Sequence, residues 1–103
     1  MNILFCWLMQ VAFSNTTQQL TLHFNDGVLS PATLTARSDS PIDLLIINDG
    51  LTAEEFDSHE LSREKVVAPG SSAVVHLRVL AAGEYAFQGE RHSATMQGKL
   101  VVK

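Results

Sequence analysis

Short runs of residues alternate between apolar and polar side chains, and turn signals close nearly every run; few chains with that pattern can fold as anything but packed strands. Leu20, Leu22 and Phe24 fall on one face with Thr21 and His23 on the other, and Asn25-Asp26-Gly27 ends the run. Ala32, Leu34 and Ala36 alternate with Thr33 and Thr35 up to the break at Ser38-Asp39-Ser40-Pro41. From Ile42 to Ile47 only Asp43 interrupts an apolar run, which predicts a central strand covered on both sides. After the turn Pro69-Gly70-Ser71-Ser72, the residues Val75, Leu77 and Val79 are expected to face inward while Val74, His76 and Arg78 face outward. Tyr85 and Phe87 share a face after Ala82-Gly83, and Gly98 precedes a closing strand from Lys99 to Lys103. Turn signals every 8–12 residues or so, with no helical periodicity, predict an all-β antiparallel sandwich of seven or eight strands.

A length of 103 residues leaves room for one such domain. Seven Lys and Arg against eleven Asp and Glu give a formal charge of -4, so the basic surface that a nucleic acid would need is missing. The first charged side chain is Asp26, and the apolar run from Ile3 to Phe13 is interrupted only by Gln10. That run, followed by Ala12-Phe13-Ser14, reads as an export signal over residues 1–14, leaving a domain over residues 15–103. It falls short of the ~20 apolar residues that cross a bilayer. The only cysteine, Cys6, lies inside this leader, so the remainder has neither a disulfide nor a thiolate ligand.

No phosphate loop, zinc-type Cys/His spacing or nucleophile elbow is present. Two clusters carry chemistry. The interval from Glu54 to Glu64 holds Glu54, Glu55, Asp57, Glu60 and Glu64 around His59, and reads either as a solvated loop or edge strand or as a site for a hard cation. Gly89-Glu90-Arg91-His92, with Met96 four residues on, lies between the last two strands, where a rigid sandwich would hold an accessible loop. His23 and His76 fall on polar strand faces with no acidic neighbour on their own strands, and read as plain surface histidines.

The stretch Ala53-Glu54-Glu55-Phe56-Asp57-Ser58, with Leu61-Ser62-Arg63-Glu64-Lys65, Ala68-Pro69-Gly70-Ser71, Gly83-Glu84-Tyr85 and Gly89-Glu90-Arg91-His92, resembles the cupredoxin-like domains of bacterial iron uptake. These are the amino-terminal domains of EfeO-type proteins and the free-standing periplasmic partners of ferrous-iron permeases. The resemblance runs from about Leu20 to Lys103 and includes Asp26-Gly27-Val28-Leu29-Ser30-Pro31. It implies a Greek-key β-sandwich of the cupredoxin type, periplasmic, binding an iron or copper ion and serving an inner-membrane iron permease and other periplasmic iron-uptake components. It further implies Glu55, Glu90 and His92 as first metal ligands, with Glu60, Glu64 and Met96 behind them. Gln88 stands near the place of the cupredoxin cysteine and Glu55 in the region of the earlier histidine, so a blue type 1 copper site is not expected. Arg91 replaces an aromatic residue common in the family. The competing reading is a metal-free periplasmic interaction module that docks through its acidic loop on a basic partner. A stand-alone enzyme is not expected, because no nucleophile with a base can be found. Mass spectrometry of the exported protein should find an amino terminus at Asn15, and an intact Met1 on soluble cytoplasmic protein would refute the leader.

Overall fold

The computed structural model describes residues 16–103, and the expected leader and Cys6 lie outside them. Nine strands form among the described residues: β1 (Gln18–Asn25), β2 (Val28–Ser30), β3 (Thr33–Ala36), β4 (Ile42–Asn48), β5 (Glu54–Ser58), β6 (Arg63–Val67), β7 (Ser72–Leu77), β8 (Gly83–Gly89) and β9 (Gln97–Val102). A single 3₁₀ turn, Glu90–His92, follows β8. The strands make two facing sheets, ordered β2-β1-β4-β7 and β3-β9-β8-β5-β6.

Alternation decides which side chains meet between the sheets. Leu22 and Phe24 of β1, Ile42, Leu44 and Ile46 of β4, Val75 and Leu77 of β7, Phe56 of β5, Phe87 of β8 and Leu100 and Val102 of β9 are all buried in one core. The Phe56 and Phe87 rings lie 5.4 Å apart, tilted by 34°, within the range that favours aromatic pairs.

Both sheets are mixed rather than antiparallel. β1 runs parallel to β4, with Leu22 opposite Ile46, and β3 runs parallel to β9, with Leu34 opposite Leu100. A period of two fixes which face a residue takes but not its neighbour or its direction; parallel pairs arise here because the chain leaves one sheet and returns through the other. β4 is central, yet its second face is only partly covered: Leu45 and Ile47 point outward and are half-buried among the side chains of β1 and β7. β7 stops at Leu77, so Val79, expected inside, is exposed. The largest difference concerns the acidic interval. Its first half, Glu54–Ser58, is neither loop nor edge, because β5 lies inside the five-stranded sheet between β8 and β6; Glu60 lies in the turn that follows and Glu64 on the edge strand β6.

Phe56, with no exposed surface, joins the acidic strand to the core. Phe56→Ala should therefore cost about 3–5 kcal/mol, the range for emptying an aromatic core site, and urea unfolding would measure it. A loss below about 1 kcal/mol would show that β5 does not pack as described.

Candidate metal centre

Three connections meet at one end of the sandwich: the β1–β2 turn at Asp26-Gly27, the β4–β5 loop over residues 49–53 and the β8–β9 loop over residues 90–96. β5 begins there. Phe56 and Ser58 point inward, so Glu54, two residues back from Phe56, points inward too, and it is only 3% exposed. Its carboxylate is fully engaged. Oε2 accepts the backbone N–H groups of Glu55 (3.0 Å) and Arg91 (2.8 Å), and Oε1 lies 2.6 Å from His92 Nδ1.

Burial pushes the Glu54 carboxyl up, but the bonds from His92 and from the two backbone N–H groups outweigh it and hold the group below the usual glutamate value. An ionised carboxylate only accepts, so Nδ1 of His92 carries the hydrogen between them. The lone pair of a neutral His92 ring is thereby assigned to Nε2, and the side chain is 40% exposed. A buried carboxylate that orients an imidazole by its far nitrogen is the arrangement found behind many histidine ligands.

The β1–β2 turn supports both partners. Asp26 accepts from the backbone of Leu51 (3.1 Å) and Thr52 (3.2 Å) and from the Thr52 hydroxyl (2.9 Å). Hydrogen bonds from the Leu51 backbone and from the Thr52 hydroxyl and backbone outweigh the opposing cost of desolvation and hold the Asp26 carboxyl below its usual value. Asn48, also buried, donates to the carbonyls of Thr52 (2.9 Å) and Val67 (3.0 Å) and accepts from Gly50, closing the same loop.

The expected ligands do not gather into one shell. Glu55 points to the outer face of its sheet, where it shares a hydrogen bond with Glu90; that bond, followed by desolvation and by the charges of Glu90, Glu64 and Asp57, pushes the Glu55 carboxyl up. Glu64 lies on the same outer face, directly across from Asp57. Glu60 belongs to the far end, in the turn after β5, and accepts the backbone N–H of Ala86 (3.2 Å). The five residues of β5 separate it from the His92 end by about 13 Å. Met96 is buried in the core beneath the loop. Among the described residues, no three His, Cys, Asp or Glu side chains are arranged to hold a metal ion.

Glu54 is the residue that motif spacing passed over in favour of Glu55. The signal was present in its parity with Phe56. His23 and His76 also differ from expectation, because each has an acidic partner from the adjoining β4 side: His23 Nδ1 lies 2.7 Å from Asp49 and His76 Nδ1 lies 2.6 Å from Asp43. Burial separates the three pairs. The Asp49 and Asp43 side chains are 50% and 33% exposed, that of Glu54 only 4%.

A family profile described as a cupredoxin-like domain matches residues 1–102. This chain belongs to the cupredoxin-like domain family. The uncharacterized protein RP394 of Rickettsia prowazekii (strain Madrid E) is 34% identical over 84 residues, covering 82% of this chain and 67% of that protein. Auracyanin A, a "blue" copper protein of Chloroflexus aurantiacus, has the same fold at 14% identity, with a TM-score of 0.72 over 85% of this chain and all of that one. A copper binding protein solved in its apo form by NMR matches with a TM-score of 0.74 at 17% identity, over 87% of this chain and 91% of that one.

A blue copper centre does not fit this cupredoxin-like domain. Beyond the lack of cysteine among the described residues, the place for a thiolate is filled. At the end of β8 Phe87 and Gly89 face the core, while Gln88 faces outward, donating to Asp57 (3.1 Å) and accepting from Gln97 (3.1 Å). Gln88 thus points away from the core, and an inward side chain at the end of β8 would have to come from position 89. There a Cβ would lie 2.8 Å from both Sδ and Cε of Met96.

Because Glu54 is held below the usual value, its contribution to stability is complete above about pH 4.5 and is lost as pH falls through its lower folded value. Asp26 adds to the same loss. Glu54→Gln should lower stability at pH 7 by about 2 kcal/mol, the scale of a charged hydrogen bond, and should flatten the decline between about pH 5 and pH 3. Parallel acid-unfolding curves for the two proteins would refute the assignment.

Proposed function

We propose that this cupredoxin-like domain is an exported metal-binding protein whose His92 Nε2 takes up a cation at the loop end of the sandwich. One observation carries this reading: a buried, ionised Glu54 holds the imidazole by Nδ1 and so assigns Nε2 to the incoming ion. The carboxyl pair Glu55–Glu90 supports it, since a cation bound there would find two oxygen donors near the same turn and relieve their repulsion, which pushes the Glu55 carboxyl up. Copper is favoured by the fold, and imidazole with carboxylate suits cupric copper or iron better than cuprous copper. The motifs around Glu55 and Glu90 extend the proposal to an accessory role beside an inner-membrane iron permease and its periplasmic partners, with copper or iron as the ion carried.

A second reading rests on a different feature. Glu55, Asp57, Glu64 and Glu90 gather on one outer face, and Asp57 directly opposite Glu64 is a like-charge pair that costs stability unless a cation or a basic surface meets it. A basic protein partner would meet it as well as a metal would.

Calorimetric titration of cupric and ferrous ions into the parent and its variants separates the two. His92→Ala and Glu55→Ala should each weaken binding about tenfold or more, and His23→Ala and His76→Ala should leave the tighter site in place. Affinity should fall from about pH 7 to pH 5 as protons compete for the imidazole lone pair. Cupric protein should show no intense visible charge-transfer band, since no thiolate is at hand. Equal affinity in His92→Ala and the parent would transfer the acidic face to the docking reading.

A further inference from the structure

The β1–β2 turn is tied to both halves of the His92 site although it contributes no ligand to it. From one side, the Asp26 carboxylate takes the backbone N–H groups of Leu51 and Thr52 and the Thr52 hydroxyl, fixing the loop that delivers Glu54 to the start of β5. Packing there is close: a Cβ at Gly50 would lie 2.8 Å from the Asp26 backbone nitrogen, so only glycine lets the loop approach the turn. From the other side, Gly27, at φ 91°, lies against the His92 ring; a Cβ there would be 3.6 Å from His92 Cδ2. The Gly27 carbonyl accepts the hydroxyl of Thr95, and the carbonyl of His92 accepts the backbone N–H of Thr95 at 3.0 Å. One two-residue turn thus connects the segment carrying Glu54 to the segment carrying His92.

We propose that Asp26 is a positioning residue for the metal centre: its carboxylate, through the Asp26-Gly27 turn, sets the register between Glu54 and His92 and so the direction in which Nε2 points. Its bearing on metal affinity rests on the function proposed above; its bearing on the His92 ring does not. The mechanism is hydrogen bonding rather than charge alone. Oδ1 takes bonds from both backbone groups and the hydroxyl, and an asparagine oxygen in the same place could take them too. Misplacing an imidazole whose Nδ1 bond is 2.6 Å long breaks that bond with a small movement, and outer-shell losses of this kind cost about 10–100-fold in metal affinity.

The test uses the metal-free protein first. Nitrogen-15 NMR of the histidine rings in Asp26→Ala should show His92 losing its single Nδ1–H tautomer, with the ring of His76, on the outer face of the other sheet, as the unchanged reference. Asp26→Asn should restore the parent spectrum. Cupric ion titrated into the same proteins should bind about tenfold more weakly in Asp26→Ala and near parent strength in Asp26→Asn. If Asp26→Ala does not fold, Thr95→Val, which cuts the link to Gly27 with little change of shape, should move the His92 ring signals in the same direction.

A His92 ring spectrum identical to the parent in Asp26→Ala, whatever its thermal stability, would overturn the proposal, as would an unchanged ring in Thr95→Val. An Asp26→Asn protein no better than Asp26→Ala would overturn its hydrogen-bonding basis. A displaced His92 ring in a protein whose parent binds no cupric ion would uphold the positioning role and remove the metal-binding reading instead.

Discussion

A carboxylate 3% exposed at the end of a β-sandwich has to be answered by donors or it will not stay ionised, and the answer given to Glu54 organises everything around it. Three donors reach it from two separate segments: the next residue on its own strand, the Arg91 backbone, and the His92 ring. The 3₁₀ turn at Glu90–His92 follows from this demand, since it brings the Arg91 N–H and the His92 imidazole to bear on one carboxylate. Had Glu54 been apolar, nothing comparable would tie the β8–β9 loop to β5. The loop that could present a ligand is therefore shaped from beneath by a charge that does not itself meet solvent.

The two sheets contribute the rigidity that such an arrangement requires. β5 is held between β8 and β6, and Phe56 rests against Phe87 at 5.4 Å, so the start of the strand cannot drift without disturbing the core. Asn48 and Asp26 then fix the loop before it by satisfying its backbone groups, in place of the ladder hydrogen bonds that a strand would have. Binding energy spent on a cation at His92 would consequently not be spent on ordering the site.

The apolar strands were legible because alternation in β1, β3, β4, β7 and β8 uses apolar residues for the inner face, and burial is what the pattern encodes. β5 was not, although it alternates just as regularly, because two of its three inward residues are polar: Glu54 and Ser58 flank Phe56. A reading that counts apolar residues sees an acidic interval; one that follows parity from Phe56 finds Glu54 inside. The same limit explains the histidines. His23 and His76 meet Asp49 and Asp43 across strands, and pairing between strands leaves no trace in the local sequence. Parallel pairing of β1 with β4 was hidden for that reason as well. Met96 lies near His92 along the chain, and its complete burial beneath the loop is something that chain proximity does not reveal.

The departure from blue copper chemistry is built into packing as well as composition, and the two act at the same place. A blue copper site needs a cysteine thiolate together with two histidine imidazoles. Here Met96 fills the space beside Gly89, and Glu54 occupies Nδ1 of His92. Placing a cysteine at position 89 would drive its Cβ into Met96 while leaving the imidazole bound to a carboxylate, and replacing Glu54 alone would free Nδ1 without supplying any sulfur. Neither change alone would supply both a thiolate and an imidazole free at Nδ1. Among the described residues this end of the sandwich carries a buried carboxylate–imidazole pair, Glu54 and His92, beside a packed thioether, Met96.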